Sequence, residues 1–385
     1  MKVLSVLWIT LEKSKQMTKI LLSVFKFIMN FIYCFFKLFK TTNQVTFISR
    51  QSNDISLDFM LLSEQFKKDH PDYKVVVLCK KSDNFSYVFH MFRQMYEIAR
   101  SKCVVLDTYC INISILKHKK GLIVVQIWHA IGMMKKAGYA TVGKKDGRSM
   151  SLSQGLNMHQ NYTNVFTSSN ACIDGMSQVF NCDPNIIESA PLPRVDFLRS
   201  DKNKEYYQEL IFNKYPQLKD KLNVLYVPTF RKDEESMKLE VEKFISTFDY
   251  DHFNLLVKMH PLSKIELNND KIFNIRDFNS QQLLFIADYV ISDYSSIVFE
   301  AGVMGKKIIY FAFDLDMYKD DRDFFIDYVK EVSGPICKDG FSVNEALKNY
   351  QDNNVSFIST YVDDTIDNCT KYMSDRLYKL VNGGV

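Results

Sequence analysis

Short, continuous apolar runs alternate with longer stretches of helical periodicity along most of this chain. The runs are VTFIS (45–49), KVVVLC (74–79), CVVLD (103–107), GLIVVQIW (121–128) and NVFTSS (164–169). A second series follows the proline-marked segment APLPRVDFL (190–198): NVLYVPTF (223–230), NLLVKMH (254–260), DYVIS (288–292) and KKIIYFAF (306–313). Strands that are apolar on both faces and separated by helices predict parallel sheets covered on both sides. The expected architecture is therefore α/β, with two doubly wound domains joined near residues 191–200. Ligands of such sheets bind at the carboxyl ends of the strands.

The first forty residues follow a different rule. At about 100° per helical residue, Lys15, Lys19, Lys26, Lys37 and Lys40 fall on one narrow face with Ser23 and Asn30. Leu22, Phe25, Phe27, Ile28, Phe31, Ile32, Phe35, Phe36 and Phe39 fill the remaining circumference. A spanning helix tolerates Lys26 at mid-depth poorly, whereas a helix lying in the membrane interface keeps its lysines at the headgroups and buries its aromatic side. Residues 15–40 are thus expected to form an in-plane anchor. A lysine-rich helix packed on another domain and a tilted span are the alternatives. A signal peptide is disfavoured, because no small-residue cleavage site follows and the next segment runs directly into a strand pattern.

Charge sharpens this division. The net +4 of the chain contains seven lysines against Glu12 in residues 1–40, a local +6 that leaves −2 for residues 41–385. An N-terminal basic segment of this kind points to an anionic membrane surface and not to nucleic acid. At 385 residues and 46% hydrophobic content, the chain can bury a large core. Its eight cysteines show no CxxC pair and no Cys/His spacing suited to zinc. Reduced thiols in a cytoplasmic setting are implied, and no metal centre.

Candidate chemistry collects at the strand ends. GLIVVQIW delivers His129, followed by Gly132, Lys135 and Lys136; NVLYVP delivers Thr229 and Arg231; NLLVKM, with Lys258 in it, delivers His260. The run DYVISDYSSIVFEAGVMG (288–305) delivers Asp293, Ser295 and Ser296 and opens straight into a helical pattern. Hydroxyls at a helix start suit a phosphate, and Glu300, four residues after Ser296, falls on the same helix face within reach of ribose hydroxyls. The same spacing also serves a helix cap followed by an ordinary helix residue. Imidazole fits such a site because it titrates near neutrality and either accepts a proton or, when charged, stabilises a phosphate.

Two other patterns are decoys. GYATVGKK (138–145) imitates a P-loop, but Lys145 replaces the metal-binding hydroxyl and no strand leads into Gly138. DLD (314–316) has metal-ligand spacing after a strand, yet two carboxylates make an incomplete magnesium site. Mg²⁺ is therefore possible there but unsupported, and no cofactor is required.

Taken in order, QIWHAIGMMKKAGY (126–139), LPRVDFL (192–198), YVPTFRKD (226–233), VKMHPLSK (257–264), VISDYSSIVFEAGVMGKKIIYFAFDLDMY (290–318) and DRDFFIDY with SGP (321–335) resemble the CDP-glycerol glycerophosphotransferase family. That family includes teichoic acid primases and glycerol- and ribitol-phosphate polymerases. The resemblance implies a GT-B type fold, two Rossmann-like domains facing a central cleft. Residues 1–40 would be the amphipathic membrane segment, 41–198 the acceptor domain, and 199–385 the CDP-donor domain with a C-terminal helix.

It also implies the reaction. A polyol phosphate, from glycerol or ribitol, passes from a CDP-polyol to a hydroxyl of a lipid-linked polymer acceptor, with release of CMP, at the cytoplasmic face of a bacterial membrane. His129 would be the general base and His260 would neutralise the departing phosphate. Arg231, Ser295 and Ser296, with Thr229, Lys258 and Asp293 beside them, would hold the pyrophosphate, and Glu300 the ribose. Ala130 stands where many members carry Gly, a variation that looks like the ribitol-phosphate or capsule-polymer branch; Pro191 and Asp323 also replace frequent glycines. The rival readings are a GT-B glycosyltransferase or epimerase using a nucleotide sugar, and a membrane-bound interaction protein on an inactive transferase fold.

Overall fold

The structure is a computed structural model that describes residues 2–81, 86–144 and 147–383. Lys145, the residue that spoils the P-loop pattern, lies outside the described residues. Both expected parallel sheets are present. The first consists of β1 (Gln44–Ser49), β2 (Lys74–Cys79), β3 (Cys103–Leu106), β4 (Ile123–Gln126), β5 (Asn164–Thr167) and β6 (Ile187–Ser189), in the order β2-β1-β3-β4-β5-β6. The second consists of β7 (Leu222–Tyr226), β8 (Phe253–Val257), β9 (Ile272–Phe273), β10 (Tyr289–Ser292), β11 (Lys307–Phe311) and β12 (Ile336–Cys337), in the order β12-β11-β10-β7-β8-β9. All ladder pairings within both sheets are parallel. The edge strands β6, β9 and β12 are two or three residues long, too short to leave an apolar run in the sequence.

Two compact units divide the chain. One comprises the chain up to His129, Lys136–Pro193 and the segment from Asn368; the other comprises Ala130–Lys135 and Arg194–Asp367. The break near Pro193 lies inside the expected junction. The C-terminal helix differs from expectation: Cys369–Val381 belongs with the first unit, not the second. Its apolar stripe explains why. Cys369, Met373 and Leu377 recur every fourth residue, and Met373 and Leu377 complete a core with Phe59, Leu62 and Phe66 of the helix Leu57–Asp69. Tyr378 stacks on His70 with ring centroids 3.8 Å apart, and Arg376 pairs with Glu188 at 2.7 Å.

The N-terminal helix runs from Lys2 to Phe36 without a glycine or proline to interrupt it. Part of its polar row, Lys26, Asn30 and Lys37, turns inward, while Lys19, Ser23 and Lys40 are exposed. Asn30 donates to the Ile115 carbonyl at 2.9 Å and accepts from the Lys117 amide at 2.7 Å. Lys26 reaches Asn157 at 3.3 Å, Lys37 the Lys117 carbonyl at 3.2 Å, and the Tyr33 hydroxyl lies 3.2 Å from His118. Ile20, Leu21, Val24, Phe27, Ile28, Phe31 and Phe35 are left exposed. The expectation that Lys26 and Lys37 lie along headgroups is corrected here: the Asn157 side-chain oxygen and the Lys117 carbonyl of the first unit receive them, which is the packed-helix alternative for these two positions.

Leu377→Ala should remove a fully buried side chain from the seam between the C-terminal helix and Leu57–Asp69 and lower unfolding stability by about 2–5 kcal/mol. Amide exchange should then accelerate in β1 and β3 and not in β7 and β10. Exchange that rises in the second sheet instead would place the helix with that sheet.

Candidate active site

In the first unit the site is built where β4 ends. The Gln126 side chain donates to the Tyr162 hydroxyl at 3.1 Å and the Thr108 carbonyl at 3.2 Å, and accepts from the Trp128 amide at 2.9 Å. That last bond turns the chain sharply, with Trp128 in the left-handed region at φ 61°. A bulky residue held there costs on the order of 1–3 kcal/mol. The Trp128 ring packs against Phe180 and lies 4.0 Å, centroid to centroid, from His129. The turn aims Nδ1 of His129 at the Asp107 carbonyl, 2.9 Å away. A carbonyl only accepts, so Nδ1 carries the hydrogen and the neutral ring keeps its lone pair on Nε2.

Asp107 itself is buried. Loss of hydration is the main cause that pushes its carboxyl up to about 7, with Asp58 adding repulsion and hydroxyls of Ser49 and Thr108 opposing. Sequence reasoning took Asp107 only as the end of a strand. A carboxylate closing an apolar run was the available signal.

The second unit gathers Thr229, Arg231 and Asp293 at the adjoining ends of β7 and β10. Asp293, 1% exposed, accepts from the Thr229 amide at 2.9 Å, the Tyr294 amide at 2.6 Å and Arg231 Nη2 at 2.8 Å. On its other side Arg231 meets Asp314, Nε to Oδ2 at 2.6 Å and Nη2 to Oδ1 at 3.0 Å, and Nη1 donates to the Thr229 carbonyl at 2.9 Å. Tyr294 and Tyr318 flank the guanidinium at 5.0 Å each. Arg231 is thus engaged by two carboxylates and fixes the Thr229 loop. Asp314, weighed from sequence as a metal ligand, is its counter-ion. The Thr229 hydroxyl is buried without a hydrogen-bond partner among the described residues.

On the neighbouring strand β8, Lys258 donates to the Ile275 carbonyl at 2.9 Å. His260 Nδ1 accepts from the Leu262 amide at 3.1 Å, so its hydrogen sits on Nε2. Burial, and then the charge of Lys135, hold this imidazole below its ordinary range. It is a neutral N–H donor near pH 7.

Lys135 reaches this unit through an antiparallel bridge to Phe324, beside a 2.8 Å bond from the Phe325 amide to the Met134 carbonyl. The approach depends on Gly132, at φ 64°, because the Phe299 ring occupies the place of a side chain there. Burial, reinforced by Arg322, depresses the Lys135 amine to about 8.

Ser295 and Ser296 follow β10 and precede the helix Ile297–Val303. Ser295 Oγ accepts from the Ile297 amide at 3.4 Å, while Ser296 makes no side-chain cap. Glu300 is buried and accepts from Arg194 Nη1 at 2.7 Å and Gln281 Nε2 at 3.2 Å. Arg194 sits in the LPRVDFL motif, and its pairing with Glu300 was not foreseen.

These residues sit in a chain with known relatives. Residues 30–381 match the family of CDP-glycerol:poly(glycerophosphate) glycerophosphotransferases. The chain is 28% identical over 384 residues to the teichoic acid poly(ribitol-phosphate) polymerase of Bacillus spizizenii, covering 95% of this chain and 61% of that one. It is 26% identical over 311 residues to the teichoic acid ribitol-phosphate primase of the same organism, covering 77% and 80%. The fold is similar to that of the solved wall teichoic acid polymerase TagF, with a TM-score of 0.69 at 19% identity over 97% of this chain and 98% of that one. The chain therefore spans about three fifths of the first polymerase's length and four fifths of the primase's. The GT-B type fold implied by the sequence is borne out.

Asp107 makes stability depend on pH. Its carboxyl binds a proton more tightly folded than unfolded, so the folded chain holds more protons between about pH 4 and 7, and unfolding stability should fall as pH rises through that window. Urea unfolding at pH 5 and pH 8 should show a smaller difference for Asp107→Asn than for the parent. Equal differences would mean that Asp107 ionises normally.

Proposed function

Because the chain belongs to the CDP-glycerol:poly(glycerophosphate) glycerophosphotransferase family, we propose that it transfers glycerol phosphate or ribitol phosphate from a CDP-polyol to a hydroxyl of a lipid-linked acceptor, releasing CMP. The observation that carries this reading is the fixed tautomer of His129, whose Nδ1–H on the Asp107 carbonyl leaves Nε2 as the base. The acceptor hydroxyl gives its proton to Nε2 as its oxygen bonds the polyol-bearing phosphorus. The bond from that phosphorus to the bridging oxygen breaks, and its electron pair leaves with CMP. Such transfer depends on alignment and charge neutralisation more than on covalent help.

Donor binding falls to the second unit. Neutral His260 donates through Nε2–H to the departing phosphate, and Lys135, close enough to depress it, supplies positive charge. The hydroxyls of Thr229, Ser295 and Ser296 receive the pyrophosphate, with Lys258 beside them. Glu300, oriented by Arg194 and Gln281, takes the ribose. Arg231 acts at one remove, holding the loop that carries Thr229.

The reading extends to a peripheral place on the cytoplasmic membrane surface. With Lys26, Asn30 and Lys37 bonded to the first unit, the N-terminal helix leaves Lys19, Ser23, Lys40 and an apolar face exposed. That is the arrangement of a helix lying in the interface.

Purified protein in detergent should release CMP from CDP-glycerol or CDP-ribitol with a lipid-linked acceptor, and release no UDP from UDP-sugars. UDP release without CMP release would favour the nucleotide-sugar alternative. His129→Ala should lower kcat by roughly 10²-fold or more while leaving CDP affinity in place. His260→Ala should lower kcat comparably and weaken CDP binding in a titration. Full turnover by His129→Ala removes the general base.

Phe27→Ser, Phe31→Ser and Phe35→Ser together should release the protein from anionic vesicles, since each buried phenylalanine contributes about 1.5–3 kcal/mol. Sedimentation that persists in the triple variant would locate the membrane contact elsewhere.

A further inference from the structure

Three neighbouring strands of the first sheet leave it at one level. The register pairs Ile48 with Leu106 and Leu106 with Gln126. Two residues further on stand Arg50, Thr108 and Trp128, and the Arg50 amide bonds the Thr108 hydroxyl at 3.4 Å. The next residues on the second and third strands are Tyr109 and His129. Arg50 and the catalytic imidazole thus leave strands two spacings apart, about 10 Å.

The Tyr109 ring is buried and pinned, its hydroxyl donating to the Leu156 carbonyl at 3.3 Å and its edge against His159. Two guanidiniums lie on it. The Arg50 carbon is 5.1 Å from the ring centroid and the Arg148 carbon 5.4 Å. Arg148 is close enough to feel the charge of Arg50, and His159 that of both. Among the described residues neither meets a carboxylate at ion-pair distance.

Three other partly buried arginines are treated differently. Arg231 also lies among aromatic rings, but Asp293 and Asp314 neutralise it; Arg194 has Glu300 and Arg376 has Glu188. Two like charges gathered on one ring without a counter-ion among the described residues repel, and a bound anion relieves that repulsion. Guanidiniums match phosphate oxygens in pairs of hydrogen bonds.

We propose that Arg50, Tyr109 and Arg148 form the binding site for the acceptor's own phosphate, the phosphodiester or phosphomonoester one polyol away from the hydroxyl that attacks. This rests on the phosphotransferase reading above, and deepens it: the site would recognise a polyol that already carries phosphate, and hold its free hydroxyl end toward His129. The donor groups lie in the other unit, so the pair is assigned to the acceptor.

The test uses the full chain in detergent without lipid, a CDP-polyol as donor, and two soluble acceptors: two glycerols joined by a phosphodiester, and free glycerol. In Arg50→Gln and Arg148→Gln the KM for the phosphodiester acceptor should rise about tenfold or more, with donor KM changed by less than about twofold. Use of free glycerol should not worsen in parallel, and Arg→Lys at either position should recover part of the loss. Inorganic phosphate should compete with the phosphodiester acceptor in the parent and lose that competition in the double Gln variant.

An unchanged acceptor KM in the double variant, or an equal rise with free glycerol, overturns the proposal. Lost binding to anionic vesicles with acceptor KM unchanged would assign the pair to lipid headgroups and overturn it as well. If the parent releases no CMP from either CDP-polyol, the phosphotransferase reading fails by itself. Calorimetric binding of the phosphodiester compound to parent and double variant then still decides the site, and equal affinities refute it.

Discussion

The chemistry of the second unit hangs on one buried carboxylate. Asp293 ties the loop after β7 to the end of β10 by taking two backbone amides and one face of Arg231. An ionised acid at that depth costs several kcal/mol unless it is paired, and breaking such a pair costs about 3–5 kcal/mol because a charge is then stranded. Arg231 and Asp314 complete the compensation, and the Tyr294 and Tyr318 rings flank the guanidinium. The result is a loop with little freedom, which holds Thr229 and the start of the segment after β10 in fixed positions. A hydrophobic substitute of equal volume would pack as well without specifying those positions.

The first unit solves the same problem with neutral groups. Gln126 has one acceptor and two donors, and it uses them to bind Thr108, Tyr162 and Trp128 at once. The strained Trp128 is the outcome, and the imidazole that follows it is set against the Asp107 carbonyl. The Asp107 backbone carbonyl thus sets which way the His129 ring faces.

How much of this was legible follows from the range of each signal. The central strands are buried on both faces and read as continuous apolar runs, so both sheets were visible; β9 and β12, two residues each, were not. His129, Thr229, His260, Asp293, Ser295 and Ser296 were singled out because strand ends are where such sheets place ligands, and the structure sets them just after β4, β7, β8 and β10. The partners of Arg231 and Glu300 were missed because Asp293, Asp314, Arg194 and Gln281 are distant in sequence, and no local spacing announces an ion pair across a fold. Helical periodicity put Lys26, Asn30 and Lys37 on one side correctly, but periodicity does not say what that side meets. The C-terminal helix showed its stripe at Cys369, Met373 and Leu377 and concealed its destination for the same reason.

That destination bears on the order in which the chain can fold during synthesis. Phe59, Leu62 and Phe66 emerge early, yet the core they belong to waits for Met373 and Leu377. Residues 194–367, nearly the whole second unit, are made in between. Domains usually fold as they leave the ribosome, the earlier one first. Here the earlier sheet stays one layer short until its neighbour has been translated, so the newborn chain carries an open apolar seam through most of its elongation, and the last helix acts as the bolt that closes it.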